Sequence, residues 1–149
     1  MKKFLFVLFF FLSSCGYQPI YINKNLENLE FKKIILLGEN IINKKIVNTL
    51  SFVENERNEK NNKLFITSSS EVRPSSKNSK GQVDSYLTIV NVNLEIRNTK
   101  DEIVKDKNFK KEITYNSKKN KFELVEYQNS IKNDLINKII NDINIYLNL

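Results

Sequence analysis

Between residues 90 and 97 apolar and polar side chains alternate without a break, with Val90, Val92, Leu94 and Ile96 set against Asn91, Asn93, Glu95 and Arg97. Successive side chains of a strand point to opposite faces, so this run makes a strand with one dry face and one wet face. Something apolar must cover the dry face. The chain supplies it near its end, where Leu124, Ile131, Leu135, Ile139, Ile143 and Leu147 recur at helical spacing and Ile136 and Ile140 widen the stripe. A half-wet sheet beside a one-sided helix points to the α+β class.

The remaining elements follow from the same two periods. Residues 31–37 (FKKIILL) are short, apolar and β-branched, with Gly38 to punctuate them, and predict a first strand. From residue 39 to 53, Ile42, Ile46, Leu50 and Val53 fall on one helical stripe, with Asn43, Lys45, Asn48 and Thr49 on other faces. Residues 54–62 are charged and Asn-rich and read as a solvated connection, followed by a strand over 63–72. Residues 73–81 (RPSSKNSKG) contain a proline, three serines and a glycine, which predicts a mobile loop. The strand over 83–97 carries Val83, Leu87 and Ile89 on the parity opposite to Val90, so a bulge is expected near Ile89 and Val90. NTKDE at 98–102 supplies turn residues, and 103–115 returns as an antiparallel partner with Phe109, Ile113 and Tyr115. A helix over 122–149 closes the chain. The expected order is β-α-β-β-β-α, with two amphipathic helices packed on one face of a four-stranded, mainly antiparallel sheet.

The first residues stand apart from this body. A basic start at Lys2 and Lys3 precedes an unbroken apolar run from residue 4 to 12 and the small residues Ser13 and Ser14. That is signal-peptide order, and the run is far shorter than the roughly 20 residues needed to cross a bilayer. Leu12, Ser13, Ser14 and Cys15 resemble the lipobox of bacterial lipoproteins at every position. A thiol is the side-chain nucleophile best suited to taking up a diacylglycerol, and small neighbours admit the peptidase. The expected organisation is a signal peptide over 1–14, a lipidated tether over 15–30 starting at Cys15, and a single α+β domain over 31–149. Gly16 is not an aspartate, so by resemblance to sorted lipoproteins the destination is the periplasmic face of the outer membrane. Cys15 is the chain's only cysteine, which excludes a disulfide within one molecule.

Chemistry is scarce in the remaining inventory. There is no histidine, which removes the commonest general base and metal ligand. Carboxylates such as Glu54 with Glu56, Asp101 with Glu102, Asp134 and Asp142 fall in connections or on polar helix faces, where they read as solvated charge. The three glycines are not spaced for a phosphate loop. Neither an enzyme nor a bound cofactor or metal is expected. The formal net charge is +7, two units of which leave with Lys2 and Lys3. Lysine accompanies abundant isoleucine and asparagine, as in an AT-rich coding sequence, which halves the weight of that charge. Nucleic acid is not expected as a partner, because a periplasmic address offers no duplex.

At the junction of leader and tether, CGYQPIY over residues 15–21 resembles the opening of the mature LPS-assembly lipoprotein family, LptE. The expected element order and the closing helix with Tyr127 near its start are similar to that family as well. The resemblance implies a non-enzymatic accessory, or plug, of the outer-membrane barrel LptD, which helps lipopolysaccharide reach the outer leaflet while a lipid anchor holds the protein to the membrane. It also implies cations for the lipid's phosphates. Arg73, Lys77 and Lys80 are the candidates, being basic and flanked by no acid beyond Glu71. Lys105, Lys107, Lys110 and Lys111 are interleaved with Asp106 and Glu112 and read as a solvated run. A pilotin-like or structural accessory of another outer-membrane complex shares all these features and differs only in partner.

Overall fold

The computed structural model describes residues 29–57 and 62–148. The leader, Cys15 and the tether up to residue 28 lie outside these, as does Leu149. In chain order the elements are β1 (Glu30–Phe31), β2 (Lys33–Gly38), α1 (Asn40–Thr49), β3 (Val53–Glu54), β4 (Lys63–Lys77), β5 (Val83–Arg97), β6 (Ile103–Asn116) and α2 (Lys121–Leu147). The main sheet runs β2-β4-β5-β6, while β1 and β3 form a small parallel pair. β2 lies parallel to β4, and β4-β5 and β5-β6 are antiparallel. The parallel pair arises because α1 carries the chain across between them. The expected α+β architecture is therefore the observed one, with β1 and β3 added.

Register decides what the helices cover. Ile34, Leu64 and Ile96 align across the sheet, as do Leu36, Ile66 and Leu94. Val92 meets Ser68 on one side and Phe109 on the other. Leu64, Ile66, Val92, Leu94, Ile96 and Phe109 share one core cluster with Ile42 and Ile46 of α1 and with Ile131, Leu135, Ile136, Ile139, Ile140 and Ile143 of α2, and Ile34 and Leu36 pack against it. The alternation of β5 is thus used as read, and both helices lie on the same sheet face. Helix α2 starts where Asn120 accepts the Phe122 N–H at 2.8 Å, with Glu123 in its first turn against the helix dipole. Ile139 has no exposed surface and Leu135 is nearly buried. Truncating either to alanine should cost about 2–5 kcal/mol, while Asn137→Ala, on the exposed side of α2, should cost little. Urea unfolding of the three variants checks this, and equal midpoints would reverse the assignment of the helix faces.

Several expectations are corrected. The strand over 31–37 is broken at Lys32, whose N–H donates to the Asn62 carbonyl at 2.8 Å, so Phe31 belongs to β1 rather than β2. Helix α1 ends at Thr49, and Ser51 adopts a φ of 52° that turns the chain. Phe52, not Val53, then enters the core, edge-on to Phe31 at 5.5 Å. Val53 pairs with Glu30 in β3 and is partly exposed. No bulge interrupts β5 at Ile89 and Val90, which keep continuous register with both neighbours. Leu87 and Ile89 instead lie on the sheet face away from the helices, so both faces are apolar locally without a change of parity. Finally, residues 73–77 are not a loop. β4 runs through Pro74 to Lys77, with irregularities on either side of Ser76.

Asn43, read as polar surface, is fully buried, and its side-chain N–H donates to the Leu37 carbonyl at 2.8 Å. Glu39 ties three elements together. Its carboxylate accepts from the Ser70 N–H at 2.6 Å and the Ser70 hydroxyl at 2.5 Å on β4, and from the Lys132 ammonium at 2.7 Å on α2. Burial pushes this carboxyl up, but the hydrogen bonds from Lys132 and Ser70 and the Lys132 charge outweigh it and hold it below the usual glutamate value. A depressed carboxylate contributes stability above its unfolded-state value, and that contribution is lost as pH falls through the folded-state value. Glu39→Gln should therefore lower stability at neutral pH by about 1 kcal/mol after solvent screening. The difference from the parent should shrink as pH drops below the usual carboxylate range, and thermal melts across pH read it. A gap that stays constant down to acid pH would show that the charge contributes nothing.

Candidate functional site

The three candidate cations sit on the β4-β5 hairpin, which extends past the helix-covered part of the sheet. Every residue from Glu71 to Gln82 is exposed. Two features hold the hairpin. The side chains of Ser76 and Ser85 meet across it at 2.7 Å. At its tip Asn78 makes a compact turn, its side-chain oxygen accepting from the N–H groups of Lys80 and Gln82 at 3.0 Å each. Gly81, at a φ of 78°, closes this turn. The β5-β6 turn repeats the plan, with Asn98 accepting from Lys100 and Glu102 and Asp101 at a φ of 64° in the glycine's place. Both asparagines exploit the same chemistry, a short amide that satisfies the backbone two and four residues on.

Arg73 faces Leu87 across the hairpin, Lys77 faces Val83, and Lys80 lies in the turn. The hairpin spreads them. At about 3.3 Å per residue, Arg73 and Lys77 stand roughly 13 Å apart along β4. Among the described residues none of the three pairs with a carboxylate. Such an arrangement can meet a surface carrying several anionic groups but does not enclose a single phosphate.

At the base of the hairpin lies a tyrosine cluster. Tyr86 stacks on Tyr115 at 6.1 Å between centroids, and Tyr127 of α2 meets Tyr115 edge-on at 5.5 Å. The Tyr115 hydroxyl shares a 2.9 Å hydrogen bond with Thr88, and the Lys118 ammonium lies 4.5 Å from the Tyr127 centroid. Phe122 and Val125 on the first turns of α2 remain largely exposed close by in sequence. The cluster gives the projecting hairpin a rigid foundation.

The basic run on β6 divides in two. Lys110 pairs with Glu112 at 2.6 Å and Lys111 with Asp142 at 2.7 Å. Lys105 and Lys107 instead approach the Tyr146 ring, at 5.3 and 5.0 Å from its centroid. Sequence reading missed this pair because its aromatic partner is supplied by the far end of α2. Among the described residues no group of three or more His, Cys, Asp or Glu could hold a metal. No described helix is long and apolar enough to cross a membrane.

No protein-family model matches the chain, and no curated protein matches it. Its fold is similar to those of solved lipoproteins, two of which illustrate the likeness. Rare lipoprotein B from Shewanella oneidensis shares 13% sequence identity at a TM-score of 0.53, covering 78% of this chain and 99% of that one. An uncharacterized lipoprotein B from Nitrosomonas europaea shares 12% identity at a TM-score of 0.55, covering 85% of this chain and 88% of the other. At these identities the likeness establishes the fold, two helices on a four-stranded sheet, as one that lipoproteins of this description share.

Proposed function

We propose that this chain is an outer-membrane lipoprotein, anchored through Cys15 on the periplasmic side, that acts as a non-enzymatic accessory of the LptD barrel in lipopolysaccharide transport. The observation that carries the reading is the fold shared with lipoprotein B of Shewanella oneidensis over 99% of that chain's length. The lipobox at residues 12–15 and the CGYQPIY opening support it from the other end of the molecule. A wet barrel lumen calls for a partner with polar sheet and loop surfaces. The exposed β4-β5 hairpin and the uncovered sheet face, with Asn91, Asn93 and Glu95 on it, are of that kind.

A photo-crosslinking residue at Ser79, on the hairpin tip, tests the partner in intact cells. The expected principal adduct is the LptD barrel. An adduct with the barrel of another outer-membrane machine would favour the pilotin-like alternative instead. Direct contact with lipid is tested separately by replacing Arg73, Lys77 and Lys80 together with serine. An exposed ion pair contributes only about 0–1 kcal/mol, so single changes are too small to read and the triple change should weaken lipopolysaccharide binding about tenfold. The loss should be smaller at high salt, where the parent's attraction is itself screened. Unchanged affinity in the triple variant would move lipid contact off the hairpin, with circular dichroism as the control for folding.

A further inference from the structure

The end of the domain opposite the hairpin tip carries a surface with no part in the barrel reading. Leu29, the first described residue, lines a recess together with Val104, Lys105 and Leu147. Beside it stand the two ammonium groups of Lys105 and Lys107 against Tyr146. Neither lysine pairs with a carboxylate among the described residues. Of the neighbouring acids, Glu30 lines the same recess and accepts from the Asn55 amide at 3.1 Å, and the others are engaged elsewhere. Asp142 pairs with Lys111 and Asp101 with Lys63, Glu102 accepts from the Asn98 amide, and Asp106 lies on the opposite face of β6, across from Glu95. Beside the cations, Val104 is 53% exposed and Ile145 47%, and Ile103, opposite Arg97 at the same end of the sheet, is 57% exposed.

Exposed aliphatics, a tyrosine and unpaired lysines form the composition of an interfacial membrane contact. The aliphatic groups enter the boundary of headgroups and acyl chains, the phenol sits at headgroup level, and lysine stems lie along apolar surface while their ammonium groups reach phosphate. The course of the chain points to the occupant. Only residues 16–28 separate Cys15 from Leu29, and even fully extended such a stretch spans no more than about 50 Å. A domain tethered at this end meets the leaflet of its own anchor at high effective concentration. The hairpin tip lies about 50 Å further on, the length of a strand such as β5.

We propose that this end of the domain docks onto the anionic phospholipid surface of the leaflet holding the Cys15 anchor, with Ile103, Val104 and Ile145 in the headgroup boundary and Lys105 and Lys107 on lipid phosphates. The inference rests on anchoring at Cys15 and is independent of the barrel partner. The test uses the full lipidated chain in vesicles of phosphatidylethanolamine with phosphatidylglycerol, and in vesicles of phosphatidylcholine alone. With Cys15 acylated there is no free thiol, so Val104→Cys or Ser79→Cys carries a single fluorophore, read by a lipid-borne quencher. Strong quenching is expected at position 104 and little at position 79. Lys105→Glu with Lys107→Glu should reduce the docked-to-free ratio at position 104 on the order of tenfold or more, as should phosphatidylcholine. Circular dichroism confirms that the variants keep their fold. Equal quenching at the two positions, in a chain that floats with the vesicles, would overturn docking and leave the anchor intact. Quenching at 104 that ignores both the lysines and the lipid charge would overturn the anionic preference. A chain that does not float lacks the anchor, and the docking proposal falls with it.

Discussion

Gly38→Ala should destabilise the domain as much as the costliest truncations of its core, by about 4 kcal/mol or more. Gly38 ends β2 at a φ of 84°, a conformation that costs an L-residue roughly 1–2 kcal/mol by itself. The larger contribution is steric. A methyl carbon at this position would stand 1.9 Å from the Ser68 carbonyl oxygen, 3.0 Å from its carbon and 3.2 Å from its nitrogen. These are backbone atoms of β4, held from the other side by pairing of Ser68 with Val92. Relief requires β2 to separate from β4. That would also disturb the hydrogen bond from the Glu39 N–H to the Ser68 carbonyl at 3.1 Å, where α1 begins. Gly81→Ala provides the control, because Gly81 has a similar φ of 78° and no atom near its missing side chain. It should lose only the conformational contribution. Urea unfolding of both variants separates the two causes, and equal losses would mean that the close approach to β4 is unimportant.

Gly38 also shows how far the sequence could be read. As punctuation after an apolar run it was visible, and it does end a strand. Its reason, the nearness of a β4 carbonyl, depends on a pairing between segments separated by α1 and was not. The same distinction holds throughout. Val90, Val92, Leu94 and Ile96 carry their own period, as do Ile131, Leu135 and Ile139, so strand, helix and core were legible locally. The length of β4 was not, because RPSSKNSKG has loop composition yet pairs with β5 through Arg73, Pro74 and Ser76. Its partner strand supplies what its own residues lack. Pro74 is tolerated because β2 stops at Gly38, leaving β4 an edge strand from there on.

The candidate site divides along similar lines. Arg73, Lys77 and Lys80 stand out in the sequence as cations with no neighbouring acid beyond Glu71, and the structure keeps them exposed on the hairpin. Their spacing follows from the strand conformation that composition concealed. Lys105 and Lys107 differ from Lys111 through what α2 brings beside them, Tyr146 in one case and Asp142 in the other, whereas Lys110, on the opposite face, pairs with Glu112 of its own strand. Interleaved Asp106 and Glu112 made the run look neutralised along the chain. Alternation of faces puts Asp106 on the far side of β6 from the two lysines, so the charge does not cancel where it matters.

Cys15→Ala should abolish lipid attachment altogether. The thiol is the only acceptor in the chain, so no second site can substitute. Each buried methylene contributes about 0.8 kcal/mol, and a single acyl chain already gives reversible binding, whereas the several chains implied by a lipobox hold a protein permanently. Against that, Lys105 and Lys107 on an anionic surface would supply only about 2 kcal/mol together. Fractionation alone is a poor reading of the change, because a precursor that is not cut before residue 15 keeps its apolar leader over residues 4–12. Metabolic labelling with a palmitate analogue reads the acyl group directly, and intact mass reports whether the leader remains. The expected result is label at background together with the mass of the uncleaved chain. Label retained on the alanine variant would place the acyl group elsewhere and remove the basis for anchoring at Cys15. Loss of label with normal cleavage would instead identify an ordinary signal peptide whose mature protein carries a thiol that is acylated but plays no part in processing.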